Sequence, residues 1–241
     1  MRTWVWRPCR FASRVYFALF HRLHVEGTGL IPRQGPVLFL GNHASFLDPP
    51  LVGCTDKRKT WFLARSTLGD RSWFGWFLQA VGVEFVDREG SARAGIAKAI
   101  ELLKLGRAVC MFPEGRRSDD GSIAEFRAGA QLVLRKAPAT VVPFGVRGTF
   151  DAWPRTRKLP RPRKCAVHFG APMTTDEFLA DGGFEELRRR VAALADRPLA
   201  SPASADVSDP TSPGAAQATG SSPVIAVQAA DAATVSTVSL P

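Results

Sequence analysis

A histidine and an aspartate five positions apart, His43 and Asp48, are the residues of this sequence best suited to acid–base chemistry. Histidine titrates near neutral pH, so a neutral imidazole here can take a proton from a hydroxyl or a thiol. Such a base needs a partner, and Asp48 can reach back across a turn to hold one ring nitrogen protonated and leave the other free. The alternative is structural: Asp48 alone, or Ser45 with Asp48 in a capping box, caps the next helix while His43 fills a turn.

The chain around this pair predicts a turn from a strand into a helix. Residues 37–40 form an apolar run typical of a buried strand, and Gly41 breaks that run. Two prolines directly follow Asp48, which suits the first turn of a helix. Because α/β proteins place their chemistry at strand-to-helix turns, His43 and Asp48 are candidate catalytic residues.

Apolar runs and amphipathic stretches along the rest of the chain predict an α/β fold. We expect a mixed central sheet flanked by helices, with an amphipathic helical segment at the N-terminus. Strands are predicted over residues 60–63, 82–88, 108–112, 139–146 and 164–169, and helices over residues 73–78 and 91–105, from Phe126 onward and over residues 184–194.

The composition indicates an anionic partner. The 241 residues carry a formal charge of +10 at pH 7, which suits a nucleic acid, a membrane surface or a phosphorylated small molecule. The sequence contains no recognised nucleic-acid-binding motif, so we expect no nucleic-acid partner. Its four cysteines are widely spaced, without a Cys-x-x-Cys pair or a neighbouring histidine cluster. We therefore expect reduced thiols, with neither a zinc site nor a disulfide framework.

Three segments are predicted along the chain. Residues 1–24 contain five arginines, no acidic residue and many aromatics, which is typical of an amphipathic helix in a membrane interface, although a helix packed on the domain is the alternative. Residues 25–200 form the folded domain. Residues 201–241 are rich in Ala, Ser, Thr and Pro and lack Lys and Arg, so we expect a disordered tail that is dispensable for chemistry.

Membrane attachment is expected to be peripheral or monotopic, at the cytoplasmic face. No apolar run approaches the ~20 residues that a transmembrane helix needs. Residues 151–164 hold six basic residues, one acid and three prolines, and predict a loop that lies against anionic headgroups or is merely solvated. An anionic membrane surface is therefore an expected partner.

Three arginines after two predicted strand ends form a candidate anion site. Arg88 closes one strand, whereas Arg116 and Arg117 lie in the glycine-containing loop 113–118 after the next strand. Guanidinium forks and backbone donors bind phosphate oxygens, and the carboxyl ends of parallel strands meet at one edge of a sheet. A solvated charge pair at Arg88 and a merely hydrophilic loop are the alternatives.

Four stretches, in this order, resemble the motif blocks of the glycerolipid acyltransferase family, which includes the 1-acylglycerol-3-phosphate acyltransferases. Residues 42–48 resemble its His-x-x-x-x-Asp motif, and residues 82–88 resemble its second block. Residues 112–118, Phe-Pro-Glu-Gly-Arg-Arg-Ser, resemble its Phe-Pro-Glu-Gly-Thr-Arg-Ser block, and residues 141–143 resemble its fourth. Four ordered blocks are far more specific than any single one.

The resemblance implies transfer of an acyl group from acyl-CoA or acyl-carrier protein to the free hydroxyl of lysophosphatidate, giving phosphatidate in phospholipid biosynthesis. It assigns the base to His43 and its orientation to Asp48, and we expect no metal ligand and no cofactor besides the acyl-donor substrate. The acceptor phosphate region that it implies comprises Arg88, Glu114, Gly115 and Arg116. Arg116 stands where the family often has threonine, which leaves glycerol-3-phosphate or a lyso-aminolipid as alternative acceptors.

The chemistry of a thioester agrees with this resemblance. A thioester is already activated, so a base, donors for the carbonyl oxyanion and alignment of two substrates suffice. The sequence lacks a Gly-x-Ser-x-Gly nucleophile elbow, which argues against a serine hydrolase. A non-catalytic basic module at a membrane surface would explain the charge and the aromatics but not the ordered blocks.

Overall fold

The computed structural model describes residues 3–66, 72–86 and 91–200. Seven strands form one sheet in the order β1-β7-β6-β2-β5-β3-β4. The strands are β1 His24–Glu26, β2 Val37–Gly41, β3 Thr60–Arg65, β4 Val83–Val86, β5 Ala108–Met111, β6 Thr140–Arg147 and β7 Ala166–Phe169. The helices are α1 Thr3–His21, α2 Asp48–Thr55, α3 Ser72–Val81, α4 Ser91–Lys104, α5 Gly129–Lys136, α6 Thr149–Ala152, α7 Thr175–Leu179 and α8 Gly183–Ala195.

The predicted mixed sheet is confirmed. All neighbouring strands are parallel except β6 and β7, which are antiparallel. The central strand β2 is buried along its whole length, as expected of a strand covered on both faces. Because β2 to β6 run in one direction, their carboxyl ends lie at the same edge of the sheet. The candidate residues that follow β2 and β5 are thereby brought together.

Side chains of β2 alternate between two cores. Leu38 and Leu40 pack on one face with residues of α4, α5, α7 and α8. Val37 and Phe39 pack on the other face with residues of α1 and α2. This alternation is the two-residue period of a strand, and it fixes β2 firmly between the two helical layers.

Some element boundaries differ from the predicted ones. Gly41 does not break β2 but is its last residue, paired with Phe144 of β6. A β-carbon at Gly41 would lie 2.5 Å from the Phe144 ring, so the packing of that ring explains the glycine. The helix expected from Phe126 begins only at Gly129, because Arg127 N donates to the Pro113 carbonyl across loops.

The N-terminal segment is a helix with two different sides. Phe17 is fully buried in the core, which agrees with a helix packed on the domain. The opposite side exposes Trp4, Phe11 and Leu19, each about two-thirds accessible or more. The helix ends one residue before Arg22, whose φ of 45° turns the chain, so β1 begins at His24 inside the predicted 1–24 segment.

Two predictions lie outside the described residues: the position of Arg88 after β4, and disorder of residues 201–241. In the ranges that are described, no helix is both long enough and apolar enough to cross a membrane.

Candidate active site

The turn between β2 and α2 is organised by the carboxylate of Asp48. Its Oδ2 accepts hydrogen bonds from the backbone N–H of Ala44 and of Ser45, both at 2.7 Å. The same oxygen lies 2.8 Å from Nδ1 of His43. Asp48 is fully buried, whereas the His43 side chain is 19% exposed. A proton on Nδ1 leaves Nε2 as a free acceptor, which is the arrangement of an oriented base.

The helix-capping alternative does not describe this turn. Leu47 is the N-cap of α2, and no side chain of the described residues caps it. The carboxylate of Asp48 points back to residues that precede the helix. Ser45 Oγ instead donates to the Trp153 carbonyl and accepts from Leu47 N.

Asn42 joins the start of this turn to the neighbouring strand. Its Oδ1 accepts from Val146 N at 2.8 Å, and its Nδ2 donates to the Val146 carbonyl at 3.2 Å. The side chain thus forms the pair of hydrogen bonds that another strand residue would form with β6. The backbone entering His43 is therefore anchored to β6 by two buried hydrogen bonds.

Glu114 connects the His43 turn to the loop after β5. Its Oε1 accepts from His43 N at 2.7 Å, and its Oε2 accepts from Ala124 N at 3.0 Å. In the opposite direction, Ser118 N donates to the His43 carbonyl at 2.7 Å. Burial raises the pKa of the Glu114 carboxyl to about 7, against the opposing effect of the two amide donors.

Aromatic rings line the site beside the imidazole. The ring of Phe112 stacks on His43 with a centroid distance of 4.1 Å and an interplanar angle of 17°. Phe112 also meets Phe144 edge to face at 6.0 Å. On the other side of the turn, Phe46 packs against Trp153. One face of the imidazole is thus covered by an apolar ring.

Arg117 is the guanidinium most closely associated with the His–Asp turn. Its Cζ lies 3.5 Å from the centroid of the Phe46 ring, a cation–π contact. Its Nη1 is buried and has no hydrogen-bond partner within the described part of the chain. Burial and the neighbouring Arg155 lower the pKa of the Arg117 guanidinium, whereas Asp48 acts in the opposite sense. A buried donor of this kind is suited to bind an anionic ligand.

The other candidate residues of this loop lie beside Arg117. Arg116 Nη1 forms a 3.1 Å salt bridge with Asp119, which also pairs with Arg155 at 2.9 Å. Gly115 has a φ of +75°, and a β-carbon there would lie 2.9 Å from the Arg127 side chain. Five of the six predicted site residues therefore lie at the turn from β2 into α2 or on the adjoining loop after β5, and Arg88 is outside the described residues.

Contacts of Asn42, Phe112 and Arg117 with this turn were not predicted from the sequence. Asn42 and Phe112 each begin one of the motif blocks, residues 42–48 and 112–118, and Arg117 is one of the three arginines of the candidate anion site. For Arg117 the available signal was its place in the family block, where arginine follows the variable position occupied here by Arg116.

This predominantly parallel α/β sheet carries a partly exposed histidine held by a buried aspartate after its central strand, an arrangement suited to acid–base chemistry. The Acyltransferase family model matches residues 22–147, more than half of the chain. The chain therefore belongs to the acyltransferase family, and the predicted resemblance is confirmed.

Relatives and a solved structure carry a more specific name. The chain is 32% identical over 138 residues to a chloroplastic 1-acyl-sn-glycerol-3-phosphate acyltransferase of Arabidopsis thaliana, covering 56% of this chain and 38% of that one. It is 30% identical over 130 residues to the Borreliella burgdorferi 1-acyl-sn-glycerol-3-phosphate acyltransferase, covering 53% and 52%. The chain thus spans about half or less of the length of these relatives.

The fold of this chain is similar to the crystal structure of the 1-acyl-sn-glycerophosphate acyltransferase PlsC from Thermotoga maritima, with a TM-score of 0.66 and 27% sequence identity. The match covers 81% of this chain and 78% of that one.

We expect Glu114→Gln to change how stability depends on pH. The Glu114 carboxyl has a pKa of about 7 when folded and an ordinary value of 4.5. Between these values the folded state binds the extra proton, so wild-type protein loses stability as the pH rises from 4.5 to 7. At 1.36 kcal/mol per pKa unit, this loss is about 3 kcal/mol. Glutamine does not titrate, so the variant lacks this component in urea unfolding measured from pH 5 to pH 8.

The matched control is Glu125→Gln, which alters an exposed carboxyl eleven positions along the chain. The difference in free energy of unfolding between this control and wild type should be the same from pH 5 to pH 8. If the difference between Glu114→Gln and wild type is equally independent of pH, the Glu114 carboxyl does not titrate differently in the folded protein.

Proposed function

We propose that this protein transfers an acyl group from a thioester to the free hydroxyl of lysophosphatidate, producing phosphatidate. The observation that carries the proposal is the 2.8 Å contact between His43 Nδ1 and Asp48 Oδ2 at the end of the central strand. Relatives that share this region of sequence, and a solved structure that shares the fold, are named for that acyltransferase activity. The acyl donor is acyl-CoA or acyl-carrier protein, and the reaction requires no further cofactor.

In the proposed reaction, His43 acts as a general base through Nε2. Nε2 takes the proton of the acceptor hydroxyl as the hydroxyl oxygen attacks the thioester carbonyl carbon. The carbon–sulfur bond then breaks, and the imidazolium gives its proton to the leaving thiolate, so that a free thiol departs and His43 is neutral again. Asp48 stabilises the imidazolium that exists between these steps. The acyl group passes directly to the acceptor, without an acyl-enzyme.

The acceptor phosphate is assigned to the arginines beside the His–Asp turn. Arg117 offers a buried Nη1, and Arg116 and Gly115 lie in the same loop. Arg88 follows β4, the third strand from β2, so at ~4.8 Å per strand that strand end is roughly 14 Å from the end of β2. The side chain of Arg88 must therefore cover part of that distance to reach the phosphate of a lysolipid whose hydroxyl lies at His43. Glycerol-3-phosphate and a lyso-aminolipid remain the alternative acceptors.

The proposed attachment surface is the exposed side of α1 together with α3. Trp4, Phe11 and Leu19 recur on one side of α1, and α3, which packs against α1, exposes Trp73. Arg7 and Arg14 of α1 are exposed as well. Aromatic and basic residues on one helix favour the interface of an anionic membrane, where the lysolipid acceptor is found. We propose peripheral or monotopic attachment on the cytoplasmic side.

His43→Ala should lower kcat by about 10²–10⁴-fold, because it removes the base. Asp48→Asn should also be severe, since an amide can hold the wrong tautomer of His43. The measurement is release of free thiol from acyl-CoA that depends on added lysophosphatidate, with circular dichroism to establish that each variant is folded. Near-normal turnover of either folded variant, where chemistry limits the rate, would rule out the His–Asp mechanism.

Arg117→Lys should lower kcat/KM for lysophosphatidate about ten- to a hundredfold, because lysine keeps the charge but loses the guanidinium fork. Arg88→Lys should act in the same direction. Arg116→Thr should lower kcat/KM for lysophosphatidate by less than tenfold, because the guanidinium is already paired with Asp119 and the resembling family often has threonine at this position.

A zwitterionic lysolipid tested with the same variants is the control for the acceptor phosphate. The wild-type kcat/KM for the zwitterionic lysolipid should be low, and Arg117→Lys should leave that kcat/KM nearly unchanged. Equal use of both acceptors by wild-type protein, or an unaltered preference in Arg117→Lys and Arg88→Lys, would contradict the phosphate assignment.

Phe11→Ser combined with Leu19→Ser should weaken binding to anionic vesicles by about tenfold or more, because two exposed apolar side chains no longer enter the interface. Leu105→Ser, which alters an exposed leucine after α4, is the matched control and should bind like wild type. High salt should release the wild-type protein. Retention after alkaline carbonate would argue against peripheral attachment.

A further inference from the structure

Three potential metal ligands lie together on one face of the sheet edge. His24 and Glu26 are two residues apart on β1, so their side chains project from the same face. The register pairs Glu26 directly with His168 of the neighbouring strand β7. One ligand atom from each of these side chains lies within 4.8 Å of the other two. This juxtaposition follows from the pairing of β1 with β7 and not from proximity in sequence.

The donor set is suited to a borderline-soft divalent ion. Two imidazoles and one carboxylate bind zinc in many proteins, with a water as fourth ligand and bond lengths of about 2.0–2.2 Å. Tetrahedral geometry would place the ligand atoms ~3.4 Å apart. His24 Nε2 and Glu26 Oε1 are now 2.7 Å apart, as a hydrogen-bonded pair. Both side chains are about 60% exposed and free to rotate by the distance required.

His168 has a buried ring nitrogen that a metal ion could occupy. Its Nε2 is buried and makes no hydrogen bond to any described residue. The ring also hydrogen-bonds the backbone of Leu194. A metal-binding histidine is commonly oriented by a hydrogen bond from its ring to a backbone carbonyl.

Arg147 is the nearby charge that opposes cation binding, since its charge acts on both Glu26 and His168. Its guanidinium is directed toward the end of α8, where Nε donates to the Leu194 carbonyl and Nη2 to the Ala193 carbonyl. Asp196 lies 3.8 Å from its Nη1 and offsets part of that charge. The arginine therefore weakens the site without filling it.

We propose that His24, Glu26 and His168 form a binding site for a divalent transition-metal ion, best matched by zinc, that fastens the edge strand β1 to β7. β1 has three residues and, among the described strands, pairs with β7 alone. It also joins α1 to the sheet, so a bound ion would stiffen the connection between that helix and the domain. The site contains none of the residues of the proposed acyl transfer.

The test is zinc binding to the untagged full-length chain in detergent, after removal of metal with a chelator and dialysis. Isothermal titration with ZnCl₂ should give one ion per chain. His24→Gln and His168→Gln should each weaken binding by at least about tenfold, because each removes one of three protein ligands. Zinc should also raise the Tm of the wild-type protein by about 5 °C at a hundredfold excess over Kd, but not that of the variants.

His43→Gln is the matched control, because His43 is the other partly exposed histidine with carboxylates nearby. This variant should bind zinc like wild type. Cobalt offers a second readout, since a tetrahedral site with two histidines gives visible absorption bands that His168→Gln should remove. The proposal fails if wild type shows no saturable binding, if the His24 and His168 variants bind like wild type, or if His43→Gln abolishes binding.

Discussion

A buried negative charge, the carboxylate of Asp48, is the interaction on which the rest of the site depends. Moving a carboxylate out of water is costly unless hydrogen bonds replace its hydration. Two backbone N–H groups and one imidazole supply those bonds at Oδ2. The backbone donors point to Asp48 only because the chain turns sharply after Gly41. Oδ1 is buried without a hydrogen-bond partner in the described part of the chain, so only one oxygen of the carboxylate is compensated in this way. The same turn that supplies the hydrogen bonds to Oδ2 also fixes the orientation of His43.

A second buried carboxylate, Glu114, extends this arrangement to the neighbouring loop. It holds the backbone N–H of His43, while the His43 carbonyl accepts from Ser118 N of that same loop. His43 is thus bound on both sides of its own backbone by residues more than seventy positions away. The charge of Asp48 further raises the Glu114 pKa, so the protonation of the two acids is linked.

Local features of the site could be read from the sequence, whereas its cross-links could not. The strand, the turn and the prolines of α2 are adjacent in the chain, so apolar pattern and residue type are enough to predict them. The hydrogen bonds from His43 N and Ala124 N to Glu114 depend on the packing of loops that are distant in sequence. The sequence likewise cannot decide which of Arg116 and Arg117 contacts Phe46, because neighbouring side chains in a loop have no fixed period. Strand β1 was missed because three residues of mixed polarity give no pattern.

The ring of Phe112, which stacks on the imidazole of His43, connects the site to the hydrophobic core. Phe112 touches Phe144, Phe144 touches Phe169, and Phe169 touches Phe39, with centroid distances between 5.8 and 6.2 Å. These rings form an aromatic column that begins at the base and ends in the middle of the sheet. The plane of the imidazole is therefore set by the hydrophobic interior as well as by Asp48. Once protonated, the imidazolium lies over a π-face that attracts its charge, so the core contributes directly to the electrostatics of the reaction centre.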